Sequence, residues 1–279
     1  MRINMQLPTR RLTQAAALAI ALLLSACASP PAATPPAFLL LGEVHDNPQG
    51  HRQRLNDLRD LLAQGWRPAI VMEQFDAAQS EKLGAAMREC KDADCVIGKA
   101  GSGGWEWPLY RPLIELALRY QLPLAAANLS RQQLGSAMRQ GINSVLDANT
   151  LQEFGLPASL TAELHALQRE EIDAGHCGKA PASMLEGMIN AQVARDVWMA
   201  KVMLEHSARG VVLIAGNGHV RRDWGVAYWL RQRGHSDIRS VGYLEGKDRT
   251  AVAQFDRTVS VPPHPRSDPC EGLTLPAAR

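Results

Sequence analysis

The sequence predicts an α/β protein with a mostly parallel central sheet flanked by helices and an inserted helical subdomain. Three observations carry this. Four short apolar runs, each bounded by glycine or polar residues, recur along the chain; stretches of helical period separate them; and one long interval, 130–207, holds helical period without a strand. Strand, helix, strand in repetition needs crossover connections, and crossovers give parallel pairing.

The four predicted strands are 38–41, 69–72, 123–127 and 211–215. Asn47-Pro48 offers an N-cap and a first-turn proline to a helix that runs to about Gln64 and closes at Gly65. Further helices are expected near 76–87, 111–120, 130–139, 147–174, 183–207 and 222–233. On the 183–207 helix, Leu185, Ile189, Val193, Val197, Ala200 and Leu204 make one apolar stripe. Met184, Met188, Met199 and Met203 make an adjoining one that reads as core filling. Arg195 and Asp196 fall inside the apolar arc. Residues one apart on a helix do not face each other, so each needs a partner elsewhere, in a structural ion-pair network or an anion site.

Composition narrows the function. The 279 residues are 46% hydrophobic and 21% charged, an ordinary globular balance that excludes a disordered chain, a collagen or a multispan membrane protein. The formal charge of +2 includes Arg2, Arg10 and Arg11 of a leader, so the body is close to neutral and bulk attraction to nucleic acid is excluded. Residues 1–11 are polar and cationic. Residues 12–24 form an apolar run, marginal for a hydrocarbon core of about 30 Å and so a better match to an export signal than to a transmembrane anchor, that ends in Leu24-Ser25-Ala26-Cys27. This junction resembles a bacterial lipoprotein signal. It implies a signal peptide over 1–26, acylation of Cys27, and a membrane tether through the lipid; Ala28 in place of aspartate points to the outer membrane, facing the periplasm. Residues 27–37, with four prolines, read as an extended tether, 38–259 as the α/β body, and 260–279, with five prolines, as a loose or strapping tail.

Cys90, Cys95, Cys177 and Cys270 are an even number in an oxidising compartment, which suggests two disulfides among three connectivities. Cys90–Cys95 would close a short polar loop and Cys177–Cys270 would fasten the tail, so that pairing is expected. No paired C-x-x-C unit of a zinc site and no C-x-x-C-H haem attachment is present.

Ligands of parallel sheets bind beyond the carboxyl ends of the strands. There the chain places Gly42-Glu43-Val44-His45-Asp46, Glu73-Gln74, Asn128 and Gly216-Asn217-Gly218-His219. Strand ends are polar also because they meet water and cap helices, but carboxylates, imidazoles and amides from four strands point to one site. Gly-x-x-His occurs twice, at 42–45 and 216–219, with glycine permitting a turn or a close backbone approach. Residues 101–112 add Trp105, Trp107, Tyr110 and Arg111, an aromatic wall suited to a flat, apolar, anionic ligand or else a cover for the sheet edge. The segment lacks the order of a phosphate loop. His176, beside Cys177, is either a ligand or a loop histidine.

Gly-Glu-Val-His-Asp-Asn-Pro at 42–48, Met-Glu-Gln-Phe at 72–75, Trp-x-Trp at 105–107, Ala-Gln-Val-Ala-Arg-Asp at 191–196 and the run 216–226 resemble the ChaN-like haem-binding lipoprotein family, within the haem-binding uptake, Tiki and TraB grouping. The resemblance spans about 38–244. It implies a lipoprotein of iron and haem acquisition that binds haem as a homodimer, with haem at or near the subunit interface. The wider grouping includes metal-dependent peptidases and erythromycin esterases. One departure is Ala227-Tyr228, where a proline is expected, which makes Tyr228 an additional phenol near the crevice.

A haem site needs an iron ligand, apolar contact and partners for the propionates. Tyr110 is the expected axial ligand and His176 the next choice; Trp105 and Trp107 would contact the ring, and Arg111, His45 or His219 would hold a propionate. The alternative is a hydrolase in which Glu43, His45, Glu73 and His219 hold a divalent metal ion or move protons around a water, with Asn217 or Arg221 at the oxyanion. A third reading makes the rim a structural hydrogen-bond network.

Overall fold

The computed structural model describes residues 35–246, 253–268 and 270–271. The expected signal peptide, Cys27 and all but the end of the tether lie outside the described residues. Among the described residues no helix is long and apolar enough to cross a membrane.

Six strands form one sheet: β1 (Phe38–Leu41), β2 (Ala69–Asp76), β3 (Leu124–Asn128), β4 (Val211–Ile214), β5 (Ile238–Glu245) and β6 (Arg257–Val261). Their order is β3-β2-β4-β1-β5-β6, and every pair is parallel. Phe38 lies beside Val211 on one side and Ile238 on the other, and Ala69 also faces Val211. The runs Phe-Leu-Leu-Leu and Val-Val-Leu-Ile are buried along their whole length, because helices cover both faces of the sheet.

Those helices are α1 (Pro48–Ala63), α2 (Ser80–Glu89), α3 (Ala93–Ala100), α4 (Trp107–Arg119), α5 (Arg131–Gln140), α6 (Ala148–Glu153), α7 (Ala162–Gly175), α8 (Ala182–Glu205) and α9 (Val226–Gln232). Side chains alternate along a strand, and the core divides accordingly. Leu39, Leu41, Ile70, Met72, Val212 and Ile214 pack with α1–α4. Phe38, Leu40, Val71, Leu213 and Ala215 pack with residues of α5 and α7–α9. The 130–207 interval holds helices and no strand, and α8 lies directly on the sheet through Ile189, Val193, Val197 and Ala200. Met199 and Met203 are in this core, while Met184 and Met188 are only half-buried.

Three features depart from the sequence reading. β5 and β6 carry Arg239, Ser240, Arg257, Thr258 and Ser260, so an apolar-run criterion passes over them. α3 is a two-turn helix capped by Asp92, whose side chain accepts from the Cys95 amide. The helix expected at 147–174 is two helices, separated where Gly155 turns with φ +64° and Pro157 removes an amide donor. Both disulfides form as expected. Cys90–Cys95 closes the turn between α2 and α3, and Cys177–Cys270 joins the end of α7 to the segment after β6.

Candidate functional site

The rim at the carboxyl ends of β1, β2, β3 and β4 contains two charged clusters. The first is built on Glu43, just past β1. Asn47 caps α1 by accepting the Gly50 amide at 2.9 Å, and this directs the helix so that His51 and Arg54 face inward. Arg54 forms a buried ion pair with Glu43, and its Nη2 donates to His51 Nδ1 at 3.0 Å. His51 Nε2 donates in turn to the His45 carbonyl at 2.9 Å. The Glu43 carboxylate also accepts from the Tyr110 hydroxyl at 2.5 Å, Gln74 Nε2 at 3.1 Å and His45 Nδ1 at 2.8 Å. Three of these donors converge on one carboxylate oxygen, and Arg54 faces the other.

The second cluster is built on Glu73, where the β2–β3 register breaks between Met72 and Asp76. Its carboxylate accepts from Arg195 Nη2 at 3.1 Å and from the Gly216 amide at 2.8 Å, and it lies 3.4 Å from His219 Nε2. Arg195 also donates to Asn128, and His219 Nδ1 donates to Asp196 at 2.6 Å. Arg195 and Asp196 thus belong to an ion-pair network that ties α8 to three strand ends. Desolvation pulls His219 down, but Glu73 and Asp196 outweigh it and raise its pKa to about 9. Burial works to raise the Glu73 pKa, and the His219 and Arg195 cations overcome it, so this carboxylate stays ionised.

The clusters meet at His45. Its Nε2 is 4.0 Å from Glu73 and has no hydrogen-bond partner among the described residues, while its side chain is 46% exposed. Desolvation is the largest influence and lowers its pKa, so the imidazole is neutral at neutral pH. A Cβ on Gly216 would stand 3.0 Å from His45 Nε2, and one on Gly42 would stand 2.2 Å from Asn217 Oδ1. Both Gly-x-x-His glycines therefore allow the two histidine loops to touch.

The structure brings together Glu43, His45, Glu73, Asn128 and His219, with Trp105 in edge contact with His45 at a 5.0 Å centroid separation. Not every expected site residue is open to a ligand. Tyr110 is 0% exposed, its phenol serves Glu43, and burial raises its pKa, so the expected iron ligand faces the interior. His219 is likewise interior, bonded to two carboxylates, and is not a surface partner for a propionate. Arg111 pairs with Asp94 and Glu115 on the outer face of α4. Trp107 donates to the Ser102 carbonyl and packs on Phe75. His176 ends α7, with Nδ1 donating to the Ile172 carbonyl. Tyr228 donates to the Ser159 carbonyl. Asn217 exchanges two hydrogen bonds with the Tyr243 backbone, and Arg221 pairs with Glu171 and Asp223, so neither is free to act at an oxyanion.

Among the described residues no group of three His, Cys, Asp or Glu side chains is arranged to hold a metal ion. The rim carboxylates are already occupied by protein donors, which removes the basis for the divalent-metal alternative. Two site residues escaped sequence reading, His51 and Arg54. They share the inward face of α1 with Leu55, Leu58 and Leu62, and two polar residues on an apolar stripe were the available signal.

The sequence matches, over residues 32–230, the family described as haem-binding uptake, Tiki superfamily, ChaN. Among solved structures, it is similar to one described as cofacial haem binding to ChaN of Campylobacter jejuni. The TM-score is 0.64 and the identity 20%, covering 79% of this chain and 86% of that one. A succinoglycan biosynthesis protein aligns with TM-score 0.42 and 13% identity over 75% of this chain and 66% of that one. An erythromycin esterase aligns with TM-score 0.41 and 15% identity over 75% and 70%. Likenesses at these two scores say nothing about activity. No protein of curated function matches the sequence.

Proposed function

The chain belongs to the ChaN family of the haem-binding uptake, Tiki superfamily, and from that premise we propose that it takes haem at the rim with His45 as the iron ligand. The family supports haem binding; the residue assignment rests on the site. Bound haem would supply an iron centre that accepts a neutral imidazole. His45 has the required chemistry: its Nδ1–H is held by Glu43, an arrangement that fixes the tautomer and makes Nε2 a better donor. The Trp105 ring edge flanks it. Between α1 and α4 lies a groove of about 260 Å³ lined by Pro48, Leu55, Pro108, Leu109 and Leu113, with Arg52 also at its wall, and His51, which bonds the His45 carbonyl, forms part of its lining. That groove offers apolar contact, and Arg52 offers a cation to a carboxylate.

The observation that carries this proposal is a half-exposed, neutral imidazole backed by a buried carboxylate. Ferric haem titrated into the protein should give a saturating Soret change that His45→Ala abolishes or shifts. Tyr110→Phe and His176→Ala should leave it in place. Loss of the signal in Tyr110→Phe, with His45→Ala unaffected, would overturn the assignment.

The proposal extends to where the protein works. Residues 1–26 would be removed, Cys27 acylated, and the body held at the outer membrane facing the periplasm, where a homodimer would serve iron acquisition. The leader pattern and two disulfides suited to an oxidising compartment support this. Incorporation of labelled palmitate that Cys27→Ser eliminates is the test.

One observation favours a second reading. A neutral histidine oriented by a carboxylate, next to the Arg195 guanidinium, is also a metal-free general base for ester or amide hydrolysis. Turnover of acyl esters that His45→Ala removes would support it, and no turnover above buffer would end it.

A further inference from the structure

The segment after β6 is not a free tail. Residues 262–268 run past the loop that carries His45, and Cys270 is bonded to Cys177 at the end of α7. Arg266 is the central contact. Its Nε and Nη2 donate to the two oxygens of Asp46 at 2.8 and 2.7 Å, and its Nη1 and Nη2 donate to the two oxygens of Glu245 at 2.7 Å each. One guanidinium therefore holds two carboxylates, one next to His45 and one at the end of β5. Asn47 strengthens the junction by donating to Glu245 at 2.6 Å and to the Pro262 carbonyl at 2.9 Å, and the His264 amide donates to Glu245 at 2.9 Å. On the far side, Lys179 donates to the Cys270 carbonyl.

These contacts join three parts of the fold. The His45 loop belongs to β1, Glu245 to β5, and Cys177 to the α7–α8 arm, whose α8 also supplies Arg195 and Asp196 to the rim. The segment lies beyond residue 230, where the family match ends.

We propose that residues 262–268, anchored beyond them at Cys270, form a strap across the mouth of the ligand crevice and that Arg266 is a positioning residue for His45. Fork-to-fork pairing fixes both the distance and the plane of the Asp46 carboxylate, and so the backbone of its neighbour His45. The disulfide anchors the other end of the strap, so the His45 loop and the α7–α8 arm cannot separate independently. The inference rests on the reading that haem occupies this crevice, and it assigns the strap the task of slowing haem escape.

The test uses the full chain with Arg266→Ala, Arg266→Lys and the double variant Cys177→Ser/Cys270→Ser. Haem loss is followed by transfer to excess apomyoglobin. Arg266→Ala and the double serine variant should each release haem about tenfold faster, and Arg266→Lys should recover only part of the loss because an ammonium cannot bind two carboxylates bidentately. Release rates equal to the parent in both would overturn the proposal.

A haem-free readout separates this inference from the haem assignment. Removing Arg266 leaves the Asp46 carboxylate without the fork that fixes it, so in the haem-free chain the Asn47 amide, bonded to the Val44 carbonyl at 3.0 Å across the His45 loop, should exchange with solvent faster in Arg266→Ala than in the parent. Unchanged exchange in this loop would refute the positioning role even if haem binds. If the parent chain takes up no haem, the functional reading fails while the exchange rate still decides the role of Arg266.

Discussion

Replacing Arg54 with methionine removes a cation that the fold has taken almost wholly out of water. Arg54 is 3% exposed and its partner Glu43 is 0% exposed. Desolvation lowers the Arg54 pKa to about 10, a measure of how unfavourable the site is for an unpaired charge. In Arg54→Met, Glu43 keeps donors from Tyr110, Gln74 and His45 but loses the full positive charge that touches it among the described residues. Breaking one side of a buried pair costs about 3–5 kcal/mol, against a total stability of about 5–15 kcal/mol for a domain. Glu43→Gln should cost a comparable amount by stranding the guanidinium. The double variant Glu43→Gln/Arg54→Met strands neither charge, so its loss should fall short of the summed single losses by about 1–3 kcal/mol. Urea unfolding followed by far-UV circular dichroism, with disulfides intact, measures all three. Single losses below about 1 kcal/mol, or additivity within about 0.5 kcal/mol, would refute the view that this pair is a desolvated unit holding the His45 loop.

Other consequences can be checked with the same material. Tyr110→Phe should lower stability by about 1–2 kcal/mol by removing a donor from a buried carboxylate, while the haem spectrum stays unchanged. His219, held up at about 9 from an ordinary 6.5, contributes stability that is fully present below pH 6.5 and is lost as pH rises through 9. The loss should be on the order of 3 kcal/mol, and His219→Asn should abolish that slope in urea midpoints measured across the range. His45 has a pKa lowered chiefly by burial, so haem affinity should hold at neutral pH and fall only at a pH below the ordinary histidine range, once the imidazole takes up a proton; a titration series by absorbance shows the direction. Gly216→Ala puts a methyl group against His45 Nε2, and should weaken haem binding more than it lowers the melting temperature.

Much of the architecture was legible because the central strands are buried on both faces and read as uninterrupted apolar runs. β5 and β6 were not: β5 is buried at its centre but breaks its apolar residues with Arg239, Ser240 and Gly242, and β6 mixes Arg257, Thr258 and Ser260 with its valines on a partly exposed edge. The meeting of Glu43, His45, Glu73 and His219 was legible from the rule that parallel strands deliver ligands at their carboxyl ends. Which of them faces outward was not. Tyr110 looked like an iron ligand from its place between two tryptophans and an arginine, yet helical geometry sends Tyr110 inward with Leu113 and Ile114 and Arg111 outward. Sequence spacing records that two residues are near in the chain, not whether a carboxylate across the sheet has already claimed a phenol. The strap illustrates the same point: its prolines read as a loose or strapping tail that Cys270 would fasten, but only the tertiary positions of Asp46 and Glu245 give Arg266 its partners.

The resonance Raman spectrum of the reduced, haem-loaded protein tests the site assignment most directly, because an iron–imidazole stretch reports the bond itself. The stretch should be present in the parent protein and missing in His45→Ala, with Tyr110→Phe and His176→Ala unchanged. An iron–imidazole band that survives His45→Ala, or its absence from the parent, would contradict the placement of haem on this rim through His45.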